Sequence, residues 1–407
     1  MRRLIKYFIL SVIGLLLTGC TVLQSIKVVN SGRVAPDSIS KSTIPFKLNG
    51  HPMFVKVRLN GSKTPYNFML DTGALTVVSR RVARALKLQS AARVGVGGTG
   101  GKKEKVKLVA LKRVAVGDLA VQNVGAAVVD FSKMLGDGVD GILGSNFLQF
   151  FQVTIDYKRK EITLTKDAKP IPTRAHDIKI AFETSMMDGF APIIDCVVNG
   201  NIRAKAIIDT GTAELAGLPL SLMKKTQSFK EGKVLTAKGS MRGGLFGMAQ
   251  KSYMTRINSL GIGSLRLSNI PSMSYPEKNH NEYILLGNKF LSKFLVMIDY
   301  PAKTIVLRPR KTSFKTNIFS YGLSLQKKDK KTIVSGIWDK SPASKIGIEL
   351  GDEILKVNAK DTKRMSILDL LMLFRDERRD SLDIVFVHDH RAHKVNLHKA
   401  MLLPPLK

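Results

Sequence analysis

The sequence predicts a mainly β chain built as two similar lobes followed by a smaller α+β module. First, short runs alternate apolar and polar residues, as in Phe54-Val55-Lys56-Val57-Arg58-Leu59, and are punctuated by turns such as Asn60-Gly61. Second, two motifs recur in the same order. Phe68-Met69-Leu70-Asp71-Thr72-Gly73-Ala74 is matched by Ile207-Ile208-Asp209-Thr210-Gly211-Thr212, and Gly144–Tyr157 is matched by Gly287–Tyr300, 143 residues on. Third, the pattern changes after Arg310, and in Met365–Arg378 the residues Ile367, Leu368, Leu370, Leu371, Leu373 and Phe374 fit the apolar stripe of a helix.

Taken in chain order, Arg2, Arg3 and Lys6 precede an apolar run, Ile9–Leu17, too short to span a bilayer about 30 Å thick. Leu17-Thr18-Gly19-Cys20 resembles the bacterial lipoprotein processing box. That resemblance implies a signal peptide over 1–19, lipidation at Cys20, and a membrane partner held through the lipid anchor. It places the chain in the bacterial cell envelope, on the periplasmic side, with Thr21 favouring the outer membrane. Residues 20–42 are polar and Ser-rich and read as a tether. Lobe one is expected over 43–168 and lobe two over 177–310, with the Lys169–Thr173 segment as linker. The last module is expected over 317–400.

The net charge is +33. Such an excess points to nucleic acid or to an anionic surface. Export disfavours nucleic acid, and the scattered Lys and Arg residues read as solvated faces or as attraction to anionic headgroups and cell-wall polymers. With Cys20 lipidated, Cys196 has no partner and reads as a buried thiol in a strand. His388, His390, His393 and His398 read as alternation on an exposed strand rather than metal ligands. No metal and no cofactor is expected.

The chemistry rests on Asp71 and Asp209. Each ends an apolar run, and each is followed about seventy residues later by an apolar-apolar-Gly element, Ile142-Leu143-Gly144 or Leu285-Leu286-Gly287. Two carboxylates sharing one proton supply both a base for water and an acid for a peptide carbonyl. Over residues 44–310 this layout resembles the aspartic protease superfamily, closer to the retropepsin-like branch than to pepsins. The resemblance implies two β-barrel lobes forming a pseudo-dimer in one chain. It makes Asp71 and Asp209 the catalytic pair and gives Thr72 and Thr210 hydrogen bonds across the junction. Gly73 and Gly211 then permit the tight turns. Thr212 stands where lobe one has Ala74, so its hydroxyl is expected on the Asp209 carboxylate, making Asp209 the more acidic member.

Gly95, Gly97, Gly98 and Gly100 fit Gly-x-Gly-x-x-Gly, but strand-like Lys-rich sequence follows and a dinucleotide site is disfavoured. They occupy the place of a flap over substrate. Gly243 and Gly244, within Gly239–Gly247, occupy the matching place in lobe two. The C-terminal Leu350-Gly351-Asp352-Glu353-Ile354 segment resembles a PDZ domain, with Tyr321, Gly322, Leu323 and Ser324 as its carboxylate-binding loop. A monomeric aspartic endopeptidase acting on peptides or exported proteins, with a PDZ domain that binds peptide C-termini, follows from these resemblances. The competing reading is a non-catalytic scaffold that captures peptides without cleaving them.

Overall fold

A computed structural model describes residues 23–48, 52–97, 103–130, 136, 138–242, 251–276, 282–311, 313–314 and 316–406. The expected signal peptide, Cys20, Gly98, Gly100, Gly243 and Gly244 lie outside the described residues. Lobe one contains β1 (Lys41–Pro45), β2 (Met53–Leu59), β3 (Tyr66–Leu70), β4 (Val77–Ser79), β5 (Ser90–Gly97), β6 (Lys103–Val116), β7 (Leu119–Val129), β8 (Gly141–Leu143), the short helix α1 (Ser145–Leu148), β9 (Gln152–Asp156) and β10 (Glu161–Thr165). Lobe two contains β11 (Ile178–Ala181), β12 (Ile193–Val198), β13 (Ile202–Ile208), β14 (Ala216–Pro219), β15 (Val234–Gly239), β16 (Lys251–Ile262), β17 (Leu265–Tyr275), β18 (Tyr283–Leu286), α2 (Asn288–Leu291), β19 (Phe294–Asp299) and β20 (Thr304–Pro309).

The duplication seen in the sequence is a duplication of topology. In lobe one, β8 runs parallel to β3, with Leu143 opposite Leu70, and β4 runs parallel to β7. In lobe two, β18 runs parallel to β13, with Leu286 opposite Ile208, and β14 runs parallel to β17. Strands so enclosed are buried on both faces, which is why Gly141-Ile142-Leu143 and Ile284-Leu285-Leu286 are apolar without alternation. The lobes meet in a six-stranded sheet ordered β11-β20-β19-β9-β10-β1. Its centre pairs Val153 with Ile298 and Ile155 with Val296, so strands of both lobes share one ladder. Buried Phe147, Phe151, Phe290 and Phe294 fill the core beneath it.

The tether expected over 20–42 is corrected in its described part. Residues 23–30 are helical, and Arg33–Val34 pairs with Gln122 and Val121 of β7. Val29 and Ala35 are buried, and Lys41 already pairs with Thr165. The few apolar residues of a polar segment suffice to fix it when each meets the open edge of a sheet.

The C-terminal module contains β21 (Leu323–Lys328), β22 (Lys331–Trp338), β23 (Glu353–Val357), α3 (Ile367–Arg375), β24 (Ser381–His388) and β25 (Arg391–His398). Ser366 starts α3 with a capping box, its Oγ accepting from the Asp369 amide while the Asp369 carboxylate accepts from the Ser366 amide. Ile367 and Leu370 are buried in the module's core beside Tyr321, Ile337 and Phe386. His388 Nδ1 lies 3.0 Å from Asp352 Oδ1, and the His393 ring stacks on Phe386 with centroids 5.2 Å apart. The module extends past residue 400. Ala400–Met401 pairs with Ser320 and Phe319, and buried Arg256 of lobe two donates to the carbonyls of Leu403 and Pro404. It is also not a separate unit. Strand β22 pairs with β15, placing Trp338 opposite Ala237 and Gly336 opposite Gly239.

Candidate active site

Each Asp-Thr-Gly turn hangs from the paired strands described above. The Asp71 amide donates to the Leu143 carbonyl and the Asp209 amide to the Leu286 carbonyl, both at 3.0 Å. Each chain then turns sharply enough for the aspartate's own Oδ1 to accept from the amide two residues on, Gly73 or Gly211, at 2.8 Å. The glycine that closes each apolar-apolar-Gly element is a close-approach position. A β-carbon at Gly144 would lie 2.3 Å from the Ala74 carbonyl oxygen, and one at Gly287 2.5 Å from that of Glu214. The spacing of these elements therefore reflects physical support of the turns.

The two turns interlock. The Thr72 amide donates to Thr210 Oγ1 and the Thr210 amide to Thr72 Oγ1, both at 3.0 Å. Thr72 Oγ1 donates to the Ile208 carbonyl at 2.5 Å and Thr210 Oγ1 to the Leu70 carbonyl at 3.1 Å. Both threonines are fully buried. The carboxyls cross over to the opposite lobe. A β-carbon at Gly211 would lie 2.3 Å from Asp71 Oδ2, and one at Gly73 would lie 3.0 Å from Asp209 Cγ. Each carboxyl is thus set against the turn of the other lobe, where it meets its counterpart. Residues separated by 138 positions thus form one site with local two-fold symmetry.

Burial raises the Asp71 carboxyl to about 6, opposed by the Gly73 amide and by the hydrogen bond from Asp209. Burial, and then the charge of Asp71, pushes Asp209 well above the usual carboxylate range, opposed by the Gly211 amide and the Arg242 cation. Two such groups cannot both ionise cheaply, so the pair retains a proton. The expectation for Thr212 is corrected here. Its Oγ1 donates to Glu214 and accepts from Arg242 Nη2 at 2.9 Å, leaving the Asp209 carboxylate without it. The asymmetry expected from the Thr212 hydroxyl therefore has no contact behind it, and the two carboxyls titrate as one pair.

Residues that the sequence reading left without a role buttress the turns across the junction. Ser145 Oγ donates to the Thr72 carbonyl at 2.7 Å and lies 2.9 Å from Tyr300 Oη of lobe two. Asn288 Nδ2 donates to the carbonyls of Thr210 and Thr212, while its Oδ1 accepts from Tyr157 of lobe one at 2.7 Å. The repeat Gly144–Tyr157 and Gly287–Tyr300 held that signal at its two ends. The Glu214–Arg242 pair had none. Arg242 donates to Glu214 at 2.8 Å and covers the Tyr275 ring. Burial opposes the charge on Glu214, but Arg242 and Thr212 hold its carboxyl down at about 2.

Gly95 and Gly97 lie in β5, opposite Lys105 and Lys103 of β6, in a hairpin whose tip is outside the described residues. Val94 and Val106 of that hairpin pack with Ala74, Val77 and Ile142, forming an apolar wall beside the Asp71 turn. The matching hairpin of lobe two, β15 with β16, has its outer edge paired to β22. Gly239, at the base of the segment expected as the second flap, is thereby held against Gly336. Tyr321, Gly322, Leu323 and Ser324 lie at the start of β21, far along the chain from the dyad. Tyr321 and Leu323 are buried, and Gly322 adopts φ +90°. Strand β21 pairs with β22 on one side and approaches α3 on the other. Cys196 is buried, and burial pushes its thiol up to about 12. Among the described residues no cluster of three or more His, Cys, Asp or Glu side chains could hold a metal ion.

Residues 55–147 match the family model described as Aspartyl protease. The match takes in Asp71-Thr72-Gly73 and Ile142-Leu143-Gly144, the two elements that build the first half of the site. The second half repeats the aspartyl-protease-like arrangement in lobe two. Among solved structures, the chain is similar to the aspartic proteinase from Irpex lacteus, with 16% identity and a TM-score of 0.43, over 68% of this chain and 99% of that one. No curated protein matches the sequence. No helix among the described residues is long and apolar enough to cross a membrane.

Proposed function

We propose that this protein is a retropepsin-like aspartic endopeptidase acting on exported proteins or peptides at the bacterial cell envelope. The observation that carries the reading is the meeting of the Asp71 and Asp209 carboxyls, held by the reciprocal threonine bonds. In the singly protonated pair, the charged Asp71 takes a proton from a water held between the carboxyls. That water attacks the peptide carbonyl carbon. Asp209 gives its proton to the carbonyl oxygen, and the tetrahedral intermediate collapses as the leaving nitrogen is protonated by the carboxyl that took the water's proton. The glycine-rich β5–β6 hairpin covers the substrate backbone.

In this reading Cys20 carries the lipid that anchors the chain on the periplasmic side, at the outer membrane. The C-terminal module is PDZ-like and accepts peptide C-termini as an added strand along β21, with the Tyr321–Ser324 loop holding the terminal carboxylate. The open edge of β21 and its proximity to α3 support that role. The test is incubation of the protein with a diverse peptide library between pH 3 and 8, alongside Asp71→Asn and Asp209→Asn. Each variant should lose cleavage while keeping peptide binding. Cleavage that persists in either one rules out the dyad.

A further inference from the structure

Helix α3 carries two functional faces. At 100° per residue, Ile367, Leu370, Leu371 and Phe374 form the face turned into the module's own core. Leu368 lies off that face, and Arg375, seven residues on, lies within about 20° of Leu368. These two residues meet the protease lobes. Leu368 packs against the lobe-one cluster that includes Val77, Val106 and Ile142, the cluster on which Ala74 of the Asp71 turn and Val94 of the flap hairpin also rest. The neighbouring Ile367 reaches the same lobe, since a β-carbon on Gly136 would lie 3.9 Å from its Cγ2. Arg375 is exposed at the C-terminal end of α3, within charge–charge reach of Glu214 and Arg242, the pair that holds Thr212 three residues from Asp209. Seven residues of helix span about 10 Å, so one helical face reaches from the wall of one lobe to the charged rim of the other.

The rest of the module is clamped so that the helix stays there. Strand β22 continues the lobe-two sheet through β15. Thr236 and Asp339 are joined by two hydrogen bonds, the Asp339 amide to the Thr236 carbonyl at 2.9 Å and Thr236 Oγ1 to the Asp339 carboxylate at 2.5 Å. Trp338, the only tryptophan in the sequence, is buried at this seam with Ala237, Met254 and Leu403.

We propose that the C-terminal module is an intramolecular inhibitor: α3 bridges the substrate cleft with Leu368 in the apolar wall of lobe one and Arg375 at the charged rim of lobe two, and cleavage requires its withdrawal. This rests on the protease reading, and its test separates the two. In the full-length Cys20→Ser protein, a thiol is placed at the seam by Leu368→Cys. Cys196 is buried and competes little for reagent. Reaction with a maleimide should be at least tenfold slower than for the denatured chain, and adding Arg375→Glu, which sets a carboxylate against Glu214, should speed it.

In the otherwise native chain, Arg375→Glu and Leu368→Ser should each raise kcat/KM on a peptide library at least tenfold. A red shift of Trp338 emission would report whether the whole module leaves lobe two or only α3 moves. A Leu368→Cys thiol as reactive as in the denatured chain overturns the proposal. So does unchanged cleavage in variants whose seam thiol has become accessible. Should no variant, closed or released, cleave any peptide, the protease reading falls, and occlusion of the cleft is still decided by the thiol rate.

Discussion

The sharpest structural prediction concerns Gly211. Its backbone lies outside the left-handed region, so alanine meets no conformational penalty there, and the effect of the substitution is steric. The added methyl would sit 2.3 Å from Asp71 Oδ2 and 2.4 Å from Asp71 Cγ. An ordinary contact needs about 3.4 Å, so the carboxyl must retreat by about 1 Å. Displacement of a reacting group by about 1 Å costs on the order of 100-fold in rate, or about 2.7 kcal/mol of transition-state stabilisation. Overpacking of this kind costs about 1–3 kcal/mol of stability. The symmetry-related Gly73→Ala places its methyl 3.0 Å from Asp209 Cγ, a smaller intrusion. The two alanine variants should therefore differ, with kcat reduced about 100-fold in Gly211→Ala and distinctly less in Gly73→Ala. The assay is steady-state cleavage of a peptide identified from the library, with thermal unfolding run in parallel. Equal activity in Gly211→Ala and the native protein would refute the crossed placement of the carboxyls.

Two further outcomes follow from the same geometry. Thr210→Val leaves the Leu70 carbonyl and the Thr72 amide buried without partners and should destabilise the lobe junction by about 2–4 kcal/mol. A calorimetric melt unchanged from the native one would contradict the interlock. The singly protonated pair forms as pH rises through the Asp71 value of about 6 and is lost when Asp209 ionises, so kcat/KM should rise through about pH 6 and fall at higher pH. Arg242 lowers the Asp209 value, so Arg242→Met should move the falling limb to higher pH; a falling limb that stays in place would remove Arg242 from the site's electrostatics.

Much of this architecture was legible in the chain. The twice-repeated Asp-Thr-Gly and its partner element fixed both lobes, the dyad and the interlocking threonines, because a duplicated fold repeats its sequence constraints. The apolar periods of β2 and α3 were legible for the same local reason. What escaped was decided at sheet edges and by distant side chains. Residues 23–42 look like a tether until β7 and β10 offer them open edges. Strand β15 carries no sign in its sequence that β22 will pair with its outer edge. Thr212 looks like a ligand of Asp209 until Arg242, thirty residues on, turns its hydroxyl toward Glu214. Leu368 fits the apolar stripe of α3 by period, yet its contacts belong to the neighbouring lobe. None of these leaves a periodic signal, since each depends on which surface arrives beside it in the folded chain.

The central claim is that the Asp71 and Asp209 carboxyls share one proton. Carbon-13 labelling of aspartate in the full-length protein, with Asp71→Asn and Asp209→Asn spectra for assignment, follows those carboxyl signals directly from pH 3 to 9. The structure predicts two separated steps, both displaced above the ordinary value of 3.8, with one proton retained between them. Two independent titrations near pH 4 would mean that the carboxyls do not meet.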